Sequence, residues 1–177
     1  MGYLRLTDFG ISREQSDDLA VDAAGTPQYM APEILFKGNY LKSSDFYSIG
    51  AILYELIAQK HLFVGNSRDD VKEAVKAGVP KLVANGWSDE SVDLAYKLLE
   101  YSPEKRLGYK GIHEVKQHSW FNGFDWNALV EKKVEAPYVP EGTNNYCRPH
   151  VEAKFRVKYP PTDGKGHFMG YFYQKTS

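Results

Sequence analysis

The side chains with most scope for chemistry are carboxylates set beside glycine, proline or apolar runs. Asp8 stands in Asp8-Phe9-Gly10, and Glu33 closes Gly25-Thr26-Pro27-Gln28-Tyr29-Met30-Ala31-Pro32-Glu33. Asp45 precedes Gly50, and Glu55 lies inside the apolar run 49–57. Further on, Arg106 is enclosed in Ser102-Pro103-Glu104-Lys105-Arg106-Leu107-Gly108. By itself Asp8-Phe9-Gly10 reads as a turn at the end of a strand. Glu55 says more, because a lone carboxylate in an apolar helix is either paired within the chain or placed for use.

These residues need elements to hold them. Tyr3-Leu4-Arg5-Leu6-Thr7 alternates weakly and predicts a short strand running into Asp8. Residues 11–24 are small and polar without an apolar period, which predicts a loop. Pro27 and Pro32 punctuate the next stretch, with a short helix starting near Ala31. Ser43-Ser44-Asp45 offers N-cap candidates for the strongest helix. From Ile49 to Ile57 that helix is apolar all round except for Glu55, the pattern of a central, buried helix. Ser67–Ala77 predicts a polar, exposed helix closed by Gly78 and Pro80. Another begins at Ser88, with Asp89 and Glu90 in its first turn and Val92, Ala95, Leu98 and Leu99 at helical spacing. Ile112–His118 predicts a short one. Beyond Trp126, prolines 137, 140, 149, 160 and 161 predict an extended tail lying on a surface without a core of its own.

Composition narrows the function classes. The 177 residues carry 22 Lys+Arg against 23 Asp+Glu, so no global field favours nucleic acid or an acidic membrane surface. The lone Cys147 forms no internal disulfide and fits a reducing compartment. There is no signal-peptide core near Met1 and no apolar run long enough for a membrane span. The expectation is a soluble, intracellular, cytoplasmic protein.

Taken together, in their order and spacing, the segments around Asp8, Gly25–Glu33, Asp45–Gly50 and Arg106 resemble the activation segment and C-lobe of eukaryotic serine/threonine protein kinases. The resemblance implies a mainly α C-lobe fragment of a two-lobed α+β parent fold, with the N-lobe and catalytic loop absent. It implies that Asp8 holds the Mg²⁺ that bridges ATP phosphates, that Phe9 packs inward to set the direction of Asp8, and that Gly10 permits the turn. Thr7 would line the adenine pocket. Gly25, Thr26 and Pro27 would shape the seat for the substrate residue after the phosphoacceptor, in the serine/threonine form of that loop. Glu33 and Arg106 resemble the family's buried structural pair. Asp45, which in the family bonds the catalytic loop, would here cap its own helix or stand unpaired. Glu55 matches the glutamate that in basophilic relatives binds a substrate arginine, the alternative being an internal ion pair. Gln28 stands where some of those relatives carry a second acid.

His118-Ser119-Trp120-Phe121, Phe124-Asp125-Trp126 and Ala136-Pro137-Tyr138-Val139-Pro140 resemble the AGC group, which includes the cyclic-nucleotide-dependent kinases. This implies a partial kinase domain over residues 1–121 and an AGC-type C-terminal tail over 122–177. Asn145-Tyr146 would be the tail aromatic approaching the adenine, with Cys147 in place of the usual acid. Phe168, Tyr171 and Tyr173 are faintly similar to the terminal hydrophobic motif. Asp22 occupies the place of an activating phosphothreonine, where a fixed charge would partly replace the phosphate; control through phosphorylated Ser16 or Thr26 would count against that.

The sequence holds no glycine-rich phosphate cover, no strand lysine with its helical glutamate and no His-Arg-Asp catalytic loop. The catalytic base is expected upstream of Met1, so no residue present is assigned to catalysis. The resemblance implies Mg²⁺ and ATP for the complete kinase and a protein Ser/Thr substrate. The missing N-lobe half, or a partner chain, would supply the rest and cover exposed apolar surface. Three readings follow: a piece of a longer kinase, a non-catalytic interaction module that keeps the docking surface, or a gene remnant.

Overall fold

The computed structural model describes residues 2–12, 25–84 and 86–139. Ser16, Asp22, Asn145, Tyr146, Cys147, Phe168, Tyr171 and Tyr173, singled out from the sequence, lie outside the described residues. The chain divides into a compact unit, Leu4–Glu135, and a second unit made of Met1–Tyr3 with Ala136–Ser177. In the second unit the described Tyr138 and Val139 are exposed.

The larger unit is helical, and no strand occurs among the described residues. The strand predicted over residues 3–7 does not form: Leu4 and Leu6 are exposed and no described segment pairs with them. Alternation alone cannot make a strand whose backbone groups have no ladder partner.

Helix α1 spans Pro32–Lys37. Proline at its first position lacks only an N–H that would be unsatisfied there anyway, and Gly38 ends it in the left-handed region at φ 70°. Helix α2 runs Lys42–Ala58 with Leu41 at the N-cap, so it begins earlier than Ser43-Ser44-Asp45 suggested. Leucine offers no cap acceptor. Ser44, one turn in, accepts the Leu41 N–H through Oγ at 3.1 Å and so satisfies an orphan donor from the other side.

Helix α3 spans Arg68–Ala77 and opens with a reciprocal capping box. Ser67 Oγ accepts from the Asp70 N–H at 3.1 Å, and Asp70 Oδ2 accepts from the Ser67 N–H at 2.9 Å. That helix is less exposed than its composition suggests, because Val71 and Val75 are buried one turn apart. Ser88 caps helix α4, Asp89–Leu98. Helix α5 is Ile112–Lys116, and single 3-10 turns occur at Pro27–Tyr29, Pro103–Lys105 and Ser119–Phe121.

A further helix, α6 at Trp126–Val130, replaces the start of the predicted tail. Asp125 Oδ1 accepts from the N–H groups of Asn127 and Ala128 at 3.0 and 2.9 Å. The Trp126 ring packs on Phe121 and Phe124, at centroid distances of 4.9 and 4.8 Å. A capped first turn with an aromatic anchor holds a helix too short to stand alone.

The core forms where α2 crosses α4. Tyr47, Ala51, Tyr54 and Ile57 of α2 meet Ile34 and Leu35 of α1, Val71 and Val75 of α3, and Ala95 and Leu99. Gly50 allows the close approach, since a Cβ there would lie 2.8 Å from Leu98 Cβ and 3.1 Å from Leu99 Cγ. Helix α2 is not buried all round, however. Ile49, Ile52 and Leu56 are each about half exposed on the opposite face. Their spacing marks one side of the helix, so its all-apolar sequence splits into a packed face and an uncovered one.

A second cluster of Leu94, Leu98 and Val115 packs with Phe46, Leu107 and Phe121. His118 braces it: Nε2 lies 3.0 Å from Asp93 Oδ2, while Nδ1 accepts from the Trp120 N–H at 3.3 Å. The acceptor role of Nδ1 assigns the proton to Nε2, which then donates to Asp93.

Candidate functional site

Two carboxylate sites are organised by α2, one at each end. At its N-terminal end Glu33 and Arg106, far apart in sequence, meet in a forked pair. Arg106 Nη1 donates to Glu33 Oε1 at 2.7 Å and Nη2 to Oε2 at 2.9 Å. The side chains are 0% and 7% exposed respectively. Remaining guanidinium protons go to backbone carbonyls, from Nε to Glu100 O at 2.9 Å and from Nη1 to Ser43 O at 3.1 Å. Ser44 Oγ donates to Glu33 Oε1 at 2.6 Å, and the guanidinium lies 5.0 Å from the Tyr47 ring centroid. Burial alone would raise the Glu33 carboxyl; hydrogen bonds from Arg106 and Ser44 outweigh it and hold the group below its ordinary value. Burial pushes the Tyr47 phenol well up.

At the other end Glu55 is paired inside the chain. Tyr29 donates its hydroxyl to Oε2 at 2.9 Å, His61 Nδ1 lies 2.9 Å from Oε1, and the Leu62 N–H reaches Oε1 at 3.3 Å. Local backbone explains the convergence. Gln59 ends α2 in the left-handed region at φ 55°, donating its N–H to Glu55 O, and the chain doubles back. On the other side, Ser48 Oγ donates to Tyr29 O at 2.8 Å and ties the Pro27–Tyr29 turn to α2. Burial pushes the Glu55 carboxyl up, but the His61 and Tyr29 hydrogen bonds pull it down by more. The hydrogen bond to Glu55 raises the Tyr29 phenol correspondingly. The carboxylate forms part of the wall of an open cleft of about 610 Å³, with Ile52, Leu56, Gln59, Lys60, His61 and Val64.

The Asp8 region is built differently. Thr7, Asp8, Phe9 and Gly10 are all exposed. Asp8 sits at φ 60°, where a short polar side chain is tolerated. Its Oδ1 lies 3.4 Å from the Gly10 N–H, and Ser12 closes the turn by donating Oγ to Phe9 O at 2.7 Å. Phe9 is 62% exposed and does not pack inward, because no described element closes over it. Among the described residues no group of three His, Cys, Asp or Glu side chains could hold a metal ion. Magnesium usually takes one or two carboxylates with phosphate and water oxygens. The exposed carboxylate of Asp8 offers oxygen of the kind such an ion takes.

Gly25 and Thr26 are exposed, and Pro27 opens the 3-10 turn, with Thr26 O accepting from the Tyr29 N–H at 3.1 Å. Gln28 is half-buried. Asp45 is exposed and has no hydrogen-bond partner among the described residues, so it caps nothing. The structure thus brings together Glu33 with Arg106, and the Thr26–Tyr29 turn with Glu55. It does not bring Asp8 to either. The sequence reading missed Tyr29 and His61. Tyr29 lies within a motif already singled out, whereas His61 carries no local signal, since only the reversal at Gln59 returns it to Glu55.

Comparison with known proteins places the chain in a family. The family model "Protein kinase domain" matches residues 1–121. Mouse ribosomal protein S6 kinase alpha-6 is 32% identical over 193 residues, covering 100% of this chain and 24% of that protein. The Arabidopsis thaliana serine/threonine-protein kinase AtPK1/AtPK6 is 34% identical over 151 residues, covering 82% and 32%. Rat protein kinase C delta type is 36% identical over 143 residues, covering 79% and 21%. The chain spans about a quarter of the length of the S6 kinase it matches. On its helical architecture and on these matches, the chain belongs to the protein kinase domain family, as a C-lobe part of AGC-type serine/threonine kinases.

Proposed function

We propose that this chain is the metal-ligand and substrate-docking part of a cytoplasmic serine/threonine kinase that moves the ATP γ-phosphate to protein Ser/Thr. The observation that carries the reading is the compact assembly of the Gly25–Glu33 segment on α2 by Arg106, beside a carboxylate-walled cleft. Residues 1–121 are the partial kinase domain and 122–177 the tail. Asp8 is the ligand for Mg²⁺, which when bound with ATP neutralises phosphate charge. Thr7, Phe9 and Gly10 border the nucleotide; Gly25, Thr26 and Pro27 form the platform beside the phosphoacceptor; Glu55 accepts a basic residue of the substrate. Positioning by Glu33 and Arg106 is structural. No helix among the described residues is long and apolar enough to cross a membrane.

Phosphoryl transfer also needs a base, a phosphate cover and a lysine–glutamate pair, so these 177 residues alone are inactive. Calorimetry with Mg-ATP on this chain is expected to show no binding, and a dissociation constant in the micromolar range would overturn that statement. Translation of the DNA upstream of Met1 tests the parent enzyme: in-frame His-Arg-Asp codons support it, and an immediate stop codon sinks it. The half-exposed Ile49, Ile52 and Leu56 favour a second reading, a non-catalytic module that binds a partner chain through α2. A partner captured in cells that is lost with Ile52→Lys while no upstream kinase frame exists would select it.

A further inference from the structure

Helix α2 keeps one side in solvent along its whole length. Its exposed residues are Lys42, Asp45, Ile49, Ile52 and Leu56, followed by the capping Gln59, at alternating steps of three and four. That spacing makes a seam suited to packing along another helix, here apolar in the middle and charged at its ends. The chain reversal at Gln59 adds the exposed Val64, and Lys60 lines the same cleft as Ile52 and Leu56. Glu55 and His61 are engaged with each other at 2.9 Å. Asp45 and Lys60 are exposed and have no hydrogen-bond or ion-pair partner among the described residues. The seam therefore carries a free carboxylate at one end and a free ammonium at the other.

We propose that the occupant of this face is a second copy of the chain, the two α2 helices packing antiparallel about a two-fold axis beside Ile52. This rests on the reading that α2 binds a partner chain, and it names that chain. The seam is complementary to itself once one helix is reversed. Ile52 then meets its own counterpart, Ile49 lies against Leu56 of the second copy, and Asp45 comes level with Lys60 of the second copy. Both of those pairs are centred next to Ile52 in the sequence, so one register satisfies them together. A two-fold axis repeats each contact, and two Asp45–Lys60 pairs flank the apolar centre. Parallel packing would instead set Asp45 against Asp45 and Lys60 against Lys60, which like-charge repulsion opposes. Lys42 stands one turn outside Asp45, past the point where the second copy's helix has ended at Gln59. The apolar centre is small, so the dimer forms with rising concentration and is not permanent.

The test is sedimentation equilibrium of the full 177-residue chain over about a hundredfold range of concentration at low salt. The mass should rise from one chain to two and stop there, since a two-fold interface is closed. Ile52→Lys places two ammonium groups at the axis and should leave a monomer with an unchanged far-ultraviolet spectrum. Asp45→Lys and Lys60→Asp should each weaken association about fivefold to tenfold, because two exposed pairs are lost at once. The double variant Asp45→Lys with Lys60→Asp rebuilds both pairs and should return association to the wild-type level. A double variant no tighter than the singles, or a dimer indifferent to Ile52→Lys, overturns the antiparallel contact. A chain monomeric throughout that still captures a partner in cells, lost with Ile52→Lys, overturns the second copy and leaves α2 as a docking face for a different chain. A monomer with no such capture sinks both.

Discussion

A hydrogen-bonded carboxylate lies at each end of helix α2, and the two stand in opposite settings. At its N-terminal end, Glu33 and Arg106 are sealed from water, and every strong donor of the guanidinium has a partner. At its C-terminal end Glu55 is 19% exposed and its imidazole partner, His61, stands in solvent. The closest contacts are 2.7 and 2.9 Å, so distance does not distinguish them. What differs is the consequence of removing a partner. In the sealed site a lost partner leaves a buried charge and orphaned carbonyls; in the open one, water replaces it. The first arrangement serves to hold segments together, and the second leaves a carboxylate exchangeable.

The largest expected effect breaks the sealed pair. Arg106→Met should cost about 3–5 kcal/mol in urea unfolding. The double variant Glu33→Gln with Arg106→Met should not recover wild-type stability, because Ser43 O and Glu100 O still lose their donor. Full recovery would place the pair with pairs that apolar residues replace freely.

Gly50 lies on α2 between the two sites, and Gly50→Val should cost about 1–3 kcal/mol by overpacking against Leu98 and Leu99. Near-ultraviolet dichroism and the Glu55 cleft signals should be lost in one transition if both sites share a cooperative unit. Separate transitions would split the comparison into two independent regions.

Acid should act next, and with one sign at both sites. Both carboxyls lie below the ordinary value of 4.5 in the folded chain. The stability they contribute is therefore fully present above that value and lost as pH falls through the lowered folded values. The effect is smaller than deleting Arg106, because a protonated carboxyl still accepts a hydrogen bond. Glu33→Gln should flatten the acid limb of a pH–stability curve more than Glu55→Gln does. Equal flattening would contradict the difference in burial.

The smallest effect is on the open pair itself. His61→Ala should change stability by no more than about 1 kcal/mol, as for other exposed pairs. A larger loss in thermal or urea unfolding would mean that His61 holds the fold and is not free to exchange.

Much of this was legible in advance where the information is local. Ser67 and Ser88 announce α3 and α4 because a cap acts within one turn, and proline at position 32 announces α1. Asp125 was an equally good cap for α6, but the following prolines drew the reading toward a tail. The start of α2 was misplaced because Ser44 serves from inside the first turn, a geometry that residue type alone does not separate from capping. The strand over residues 3–7 was expected from alternation, which signals a face but not a neighbour.

Sequence order and spacing by themselves determined the family and the likeness of Glu33 and Arg106 to its buried pair. Only tertiary structure decided which face of α2 stays uncovered, that Phe9 points to solvent, and that Glu55 is held by Tyr29 and His61. The reason is the range of the forces. Caps and turns act over a few residues and are written locally, whereas a carboxylate's partner depends on which distant segments the chain brings within hydrogen-bond reach.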